Sequence, residues 1–336
     1  MQRGFFWVGT GQREAGAGTV PAGQMYVEWE SPREVTQPYP VALVHGGGGQ
    51  GLDYLGTPDG RPGWASHLVE EGFKVYVVDR PGHGRSPHHP DVLGAMGPMM
   101  PDEAYLEIFA PAAAEQAHTQ WPGGRTADDP TVRQLTAGSG PMLADWAAMH
   151  ALERSRMAEL LDQIGPAIVV CHSAGGPAGY LAADARPDLV KALVAIETIG
   201  PPFLKRPGVT LDWGLASAPL TFDPPAAASS DLRLTTTDSH GPVPLTLQAE
   251  PARKLVNLAR MPIAVVTAET SPFIQFDGHL LAFLRQAGCD ADQVRLADHG
   301  VHGNGHGMMF EKNNREVLQV ILDWLNKKLV NEGDRS

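Results

Sequence analysis

Ala167-Ile168-Val169-Val170-Cys171-His172-Ser173-Ala174-Gly175-Gly176 is the stretch on which the reading of this chain turns. An apolar, β-branched run stops at a serine set between small residues, and a helical pattern starts at Pro177. This predicts a strand, a sharp turn and a helix. Such a turn lifts a serine hydroxyl above the end of a strand and aims the next backbone N–H groups beside it. The pattern is close to G-x-S-x-G, with Cys171 where the first glycine is usual. Ala174, Gly175 and Gly176 meet the steric need of a tight turn, and Cys171 is small enough to fit. Cys171 lies within the strand rather than at its tip, which argues against it as the nucleophile. A strand-to-helix turn whose serine only caps the helix would read the same way here. Ser173 therefore reads as a nucleophile only if the rest of the chain supplies a base, an acid and an oxyanion hole.

Working outward, both flanks carry the alternation of a parallel α/β sheet. Residues 4–9 and 25–29 look like strands of an N-terminal hairpin or meander. Val41-Ala42-Leu43-Val44 is a buried-strand run ending in His45-Gly46-Gly47-Gly48-Gly49. Helical spacing runs from Trp64 to Glu71, and Lys74-Val75-Tyr76-Val77-Val78 follows as a strand. After the serine come a helix over 177–185 and a strand Val190–Ile196 ending at Glu197. A further strand, Ile263–Thr267, ends near Glu269, and a helix near 276–287 follows it. A short strand at 293–296 opens into Asp298-His299-Gly300-Val301-His302-Gly303-Asn304-Gly305-His306. The last helix, near 314–330, carries Val317, Leu318, Ile321, Leu322 and Leu325 on one stripe. The predicted fold is a mostly parallel twisted sheet with helices on both faces.

The alternation fails over 87–161 and 200–251, both rich in proline. The segment 87–161 leaves the sheet just before the nucleophile strand, so it reads as a cap over the chemistry. Helical pieces are expected near 102–118 and 143–164. The core is then 1–86 and 162–336, with 200–251 a second insertion that joins the cap.

With 336 residues, 43 % of them hydrophobic and 19 % charged, the chain can bury a large core and carries no charged low-complexity tail. A net charge of −12 argues against nucleic acid or an anionic membrane surface as partner. There is no run of about 18 apolar residues and no apolar h-region in Met1–Glu14. The expectation is a cytoplasmic protein. The two cysteines, Cys171 and Cys289, define no disulfide framework.

Gly46, Gly47 and Gly48 directly follow a strand, where backbone N–H groups can approach a reacting oxyanion together with that of Ala174. Each such donor is typically worth about 3 kcal/mol. A phosphate cradle fits less well, because there is no Gly-Lys-Ser/Thr ending. His299, His302 and His306 are all candidate bases, since the base of such sheets follows the last strand. Their spacing also resembles a metal site, but no carboxylate cluster accompanies them. For the acid, Glu197 and Glu269 both end strands, and Asp277 is a third choice. Topology alone favours Glu269.

Together these signals resemble the α/β-hydrolase fold. More narrowly, the chain resembles a small branch of bacterial serine carboxylesterases with a Ser–Glu–His triad. The resembling segments are His45-Gly46, Thr57-Pro58-Asp59-Gly60-Arg61 with Gly63-Trp64, and Tyr76-Val77-Val78-Asp79 with Gly82 and Gly84-Arg85-Ser86. Further on they are His172-Ser173, Ala195-Ile196-Glu197, and the run from Gly300 through His306 to Met309 with Asn313-Asn314. The resemblance implies Ser173 as nucleophile, His306 as base and Glu197 as acid on the strand after the turn, with Glu269 left as the alternative. It implies a small-molecule ester or lactone substrate, no cofactor and no metal. Branch members tend to be secreted and dimeric, so a homodimer is implied, whereas the N-terminus keeps the cytoplasmic expectation. The chain departs from the branch in having glycines at 47 and 48 and a longer 200–251 insertion. Met96, Met99, Met100, Phe109, Trp121 and Trp146 suggest a hydrophobic acyl or alcohol group, or else packing of the cap. A lyase or acyltransferase with the same triad, or a non-catalytic binding module on this fold, are the rival functions.

Overall fold

A computed structural model describes residues 1–16, 18–237 and 243–333, with side chains of the last helix to Leu329. Eight strands form one sheet. In chain order they are β1 Gln2–Val8, β2 Met25–Ser31, β3 Val41–Val44, β4 Val75–Asp79, β5 Ala167–His172, β6 Val190–Ile196, β7 Ile263–Thr267 and β8 Ala291–Arg295. Their spatial order is β1-β2-β4-β3-β5-β6-β7-β8. The pairs β1/β2 and β2/β4 are antiparallel, and every other pair is parallel.

Continuous apolar runs form the central strands because both faces of the sheet are covered. Along β5, Val169 and Cys171 face one core cluster, and Ile168 and Val170 face the other. The same period of two divides Leu193 and Ala195 from Ala192, Val194 and Ile196 on β6. Helix α1 (Trp64–Glu70) and helix α7 (Asn314–Gly333) cover one face. The α7 stripe Val317, Leu318, Ile321, Leu322 and Leu325 is buried there, as its periodicity predicts. Helices α4 (Trp146–Ile164), α5 (Gly176–Ala185) and α6 (Ile274–Gln286) cover the other, through Met157, Leu161, Ala178, Leu181, Leu280 and Phe283. Each such leucine, isoleucine, valine, methionine or phenylalanine side chain contributes roughly 1.5–3 kcal/mol by leaving water.

Between β4 and α4 lie the short helices α2 (Asp102–Phe109) and α3 (Pro130–Ala137). The helix predicted near 102–118 ends at Phe109, because Ala110 precedes Pro111 and leaves the helical region at φ −147 and ψ 52. A single 3-10 turn, Ala112–Ala114, follows. Among the described residues of 200–251, Lys205–Arg206 pairs antiparallel with Val209–Thr210, and Leu234–Thr237 pairs antiparallel with Leu245–Gln248. Among the described residues, no helix is long and apolar enough to cross a membrane.

Candidate active site

Strand β5 delivers Ser173 to the C-terminal edge of the sheet, and α5 starts three residues later. Ser173 sits at φ 52, in the left-handed region that non-glycine residues avoid. Holding it there costs on the order of 1–3 kcal/mol, which the surrounding packing must supply. Close packing accounts for the small neighbours of Ser173. A Cβ on Gly175 would lie 2.1 Å from the backbone oxygen of His45, and one on Gly176 would lie 2.4 Å from the Thr198 side chain. One on Gly179 would lie 2.5 Å from Cys171 Sγ, so α5 packs directly on the strand at this point. Cys171 is fully buried, and burial pushes its thiol up to about 12, far from a reactive thiolate.

His306 Nε2 lies 3.0 Å from Ser173 Oγ, and His306 Nδ1 lies 2.7 Å from Glu197 Oε2. Glu197 immediately follows β6 and has φ 41, a second strained non-glycine position. The neighbouring end of β7 holds its carboxylate. Ala268 N–H donates to Oε1 at 2.8 Å and Ser271 Oγ donates to Oε2 at 2.6 Å. Burial pushes the Glu197 carboxyl above its ordinary range, and the two donors offset only part of that rise. With the carboxylate accepting from Nδ1, the imidazole keeps its Nε2 lone pair for the Ser173 hydroxyl. Burial lowers the His306 imidazole well below its ordinary value, which favours the neutral form.

Three aromatic rings fix the orientation of His306. Phe273 stacks on it at 4.0 Å between centroids and 12°, His172 lies at 4.5 Å and Phe109 at 5.2 Å. His172 Nε2 is 3.0 Å from the His306 carbonyl oxygen and donates to it. Ser271 and Phe273 were not found from sequence, and His172 entered the sequence reading only as part of the His172-Ser173 segment, with no role of its own. The only signal was position: His172 adjoins the serine, and Ser271 and Phe273 follow the strand beside Glu197.

The alternative acid has a different partner. Glu269 Oε2 lies 3.2 Å from Nδ1 of the exposed His302, and Oε1 accepts Gly303 N–H at 2.7 Å. The Gly303 hydrogen bond holds this carboxyl below the usual range. Glu269 thus pins the outer part of the histidine loop. Asp277 accepts from Thr267 Oγ1 and is pushed up to about 8 by burial and by the nearby Glu197 charge. His299 is exposed at the surface. The three histidines therefore have separate surroundings, and among the described residues no group of His, Cys, Asp and Glu is arranged as a metal site.

Behind the glycine loop lies a buried polar cluster. The Gly46 carbonyl accepts from Arg80 Nη2 at 2.7 Å and from His45 Nδ1 at 2.9 Å. His45 Nε2 accepts Arg80 N–H at 3.0 Å, which assigns the proton on His45 to Nδ1. Arg80 is itself paired with Glu153 at 2.7 Å, with both side chains out of solvent. Gly46 and Gly47 lie against the serine turn. Their added Cβ atoms would meet Ser173 Cβ and Ala174 Cβ, each at 3.1 Å. Gly48, at φ +66, turns toward the 87–161 segment instead, and its oxygen accepts Gly140 N–H at 2.7 Å.

The pocket over Ser173 encloses about 740 Å³ of space not filled by atoms, part of it open to solvent. Gly46, Gly47, Ala174, His172 and His306 form its floor. Met100, Tyr105, Ile108, Phe109, Leu135, Met142 and Trp146 line it from 87–161, and Arg206 and Val209 from 200–251. Of the apolar residues singled out in the sequence, Met100, Phe109 and Trp146 reach the pocket. Trp121 is buried elsewhere, and Met99 is exposed.

The sequence profile of the alpha/beta hydrolase fold matches residues 39–242. A probable secreted lipase, phiG, from Fungal sp. (strain ATCC 74256) is 37 % identical over 313 residues, covering 90 % of this chain and 86 % of that protein. Its description as secreted overturns the expectation of a cytoplasmic protein, which rested on the absence of a long apolar run and of an apolar h-region near the N-terminus. A bacterial esterase, described as novel and solved at atomic resolution, superposes with a TM-score of 0.69 over 98 % of this chain and 96 % of its own, at 22 % identity. At that identity the likeness speaks to the fold. The sheet order, the strained serine turn and the profile match over more than half the chain lead to one statement: this chain belongs to the alpha/beta hydrolase fold family.

Proposed function

We propose that this protein is a serine hydrolase that cleaves a carboxylic ester or lactone through an acyl-enzyme, with Ser173 as nucleophile, His306 as base and Glu197 as acid. The observation that carries the reading is the unbroken chain Ser173 Oγ to His306 Nε2 to Glu197, at 3.0 and 2.7 Å, on the floor of an apolar pocket. His306 takes the hydroxyl proton as Ser173 Oγ attacks the carbonyl carbon. Glu197 holds the imidazole in the required tautomer and stabilises the imidazolium that forms. The tetrahedral oxyanion collapses, the C–O bond to the alcohol breaks, and His306 passes its proton to the leaving oxygen. Water, deprotonated by His306, then attacks the acyl carbon and releases the acid and Ser173.

The oxyanion donors in this scheme are the Ala174 N–H and the Gly47 N–H. Arg80 and His45 pin the Gly46 carbonyl on the far side, and a trans peptide then turns the Gly47 N–H the opposite way. The apolar lining supports an apolar acyl or alcohol group. That fits the description of the fungal relative as a lipase, and its secretion supports an extracellular setting here. We read the parts of 87–161 and 200–251 that line the pocket as its cap. Ser173→Ala tests the reading: hydrolysis of p-nitrophenyl butyrate should fall to the background of the uncatalysed reaction with the fold intact by circular dichroism. Retained turnover would refute it.

A further inference from the structure

A second buried histidine–carboxylate pair stands behind His306. His118, from the 87–161 segment, donates from Nε2 to Glu311 Oε1 at 2.6 Å, and both side chains are sealed from solvent. The same Glu311 oxygen accepts the N–H of Gly305 at 2.8 Å, and Oε2 accepts from Asn304 Nδ2 at 2.6 Å. Gly305 and Asn304 are the two residues preceding His306. The contact is close as well as polar, since a Cβ on Gly305 would lie 2.7 Å from His118 Cε1. Backbone bonds extend it. Gln120 N–H donates to the Gly303 oxygen at 3.0 Å, and Lys312 N–H donates to the Gln120 oxygen at 2.9 Å.

We propose that His118 is a positioning residue for His306, bracing through Glu311 the backbone that enters the base, so that the 110–125 part of the covering segment and the base reach working geometry together. The proposal rests on His306 being the base. A shift of about 1 Å in a base can cost about 10²-fold in rate while leaving substrate binding nearly intact. A bond that only packs the segment would change binding or stability instead.

The test compares wild type, His118→Ala, His118→Gln, Gly305→Ala and the double variant His118→Ala/Gly305→Ala, reading kcat, KM and thermal midpoint with p-nitrophenyl butyrate. His118→Ala should lower kcat by about 10²-fold with KM within about 3-fold. His118→Gln keeps an N–H donor near the Nε2 position and should recover most of the loss. Gly305→Ala should lower kcat in the wild-type background, where its Cβ meets the ring, and cost nothing further once that ring is gone. A loss confined to KM, a glutamine variant as poor as the alanine variant, or losses that simply multiply would each overturn the proposal. If the alanine variant does not fold, Gly305→Ala decides alone, because it removes no hydrogen-bonding group, and an unchanged kcat in it overturns the proposal. Ser173→Ala, run in parallel, separates the readings. Activity in Ser173→Ala sinks the triad itself, whereas a dead Ser173→Ala beside unaffected 118 and 305 variants sinks only the brace.

Discussion

Glu197 Oε2 meets His306 Nδ1 at 2.7 Å with neither side chain exposed, while Glu269 meets the exposed His302 at 3.2 Å. One carboxylate faces the imidazole that reaches Ser173, and the other faces solvent. Glu197→Gln leaves an amide beside Nδ1 that no longer fixes the tautomer or offsets the imidazolium charge. It should lower kcat by about 10³–10⁴-fold. Glu269→Gln should stay within a few-fold of wild type. Steady-state kinetics of the two variants on one ester check this, and a larger loss at Glu269 would move the acid to that position.

The pH profile has a direction. The base works only when unprotonated, and burial holds the His306 imidazole below its ordinary 6.5. As pH falls through 6.5, an ordinary histidine would take up its proton, but this one stays neutral. The acid limb of kcat/KM for an uncharged ester should therefore have its midpoint below pH 6.5. A midpoint at 7 or above would contradict the burial argument.

The glycine loop depends on the buried pair behind it. Arg80→Met leaves the Glu153 charge unpaired in the interior and takes a donor from the Gly46 carbonyl. Breaking such a pair from one side typically costs about 3–5 kcal/mol. Arg80→Met and Glu153→Leu should each lower the urea midpoint sharply, and the double variant should be less destabilised than the sum of the two. Folded Arg80→Met should also lose kcat, because the Gly46 carbonyl then keeps only the His45 donor and the Gly46–Gly47 peptide is less firmly pinned. Strict additivity in stability would argue against the coupling.

Met142 lines the pocket next to the glycine loop, its Sδ 3.1 Å from where a Gly47 Cβ would stand. Met142→Ala should favour longer acyl chains. The ratio of kcat/KM for p-nitrophenyl octanoate over butyrate should rise by at least about tenfold, the low end of what one accommodated methylene is worth. An unchanged ratio would place the acyl chain elsewhere.

The fold was legible because apolar runs alternate with helical spacing, and a sheet covered on both faces requires that pattern. The Ser173 turn was legible for a steric reason, since Gly175 and Gly176 face the His45 oxygen and Thr198, leaving no room for a side chain. The proposed acid, Glu197, was not legible from topology, which favours Glu269; only the family resemblance pointed to it. Glu197 and Glu269 both follow parallel strands, and the choice depends on which carboxylate the path of the histidine loop brings to His306. Nor were Ser271, Phe273 and His118 visible, because each acts across the sheet edge or across the covering segment, with no periodic or motif signal in its own neighbourhood. The helix near 102–118 was overextended where Pro111 should have ended it.

If Ser173 carries the acyl group, a phosphonate should stop at the same oxygen. The most direct measurement is intact-mass analysis of the protein after brief exposure to a fluorophosphonate, followed by peptide mapping, in wild type and Ser173→Ala. Wild type should carry a single adduct on the peptide containing Ser173, and the variant none. A variant that still labels, or an adduct mapped to another residue, would contradict Ser173 as the nucleophile.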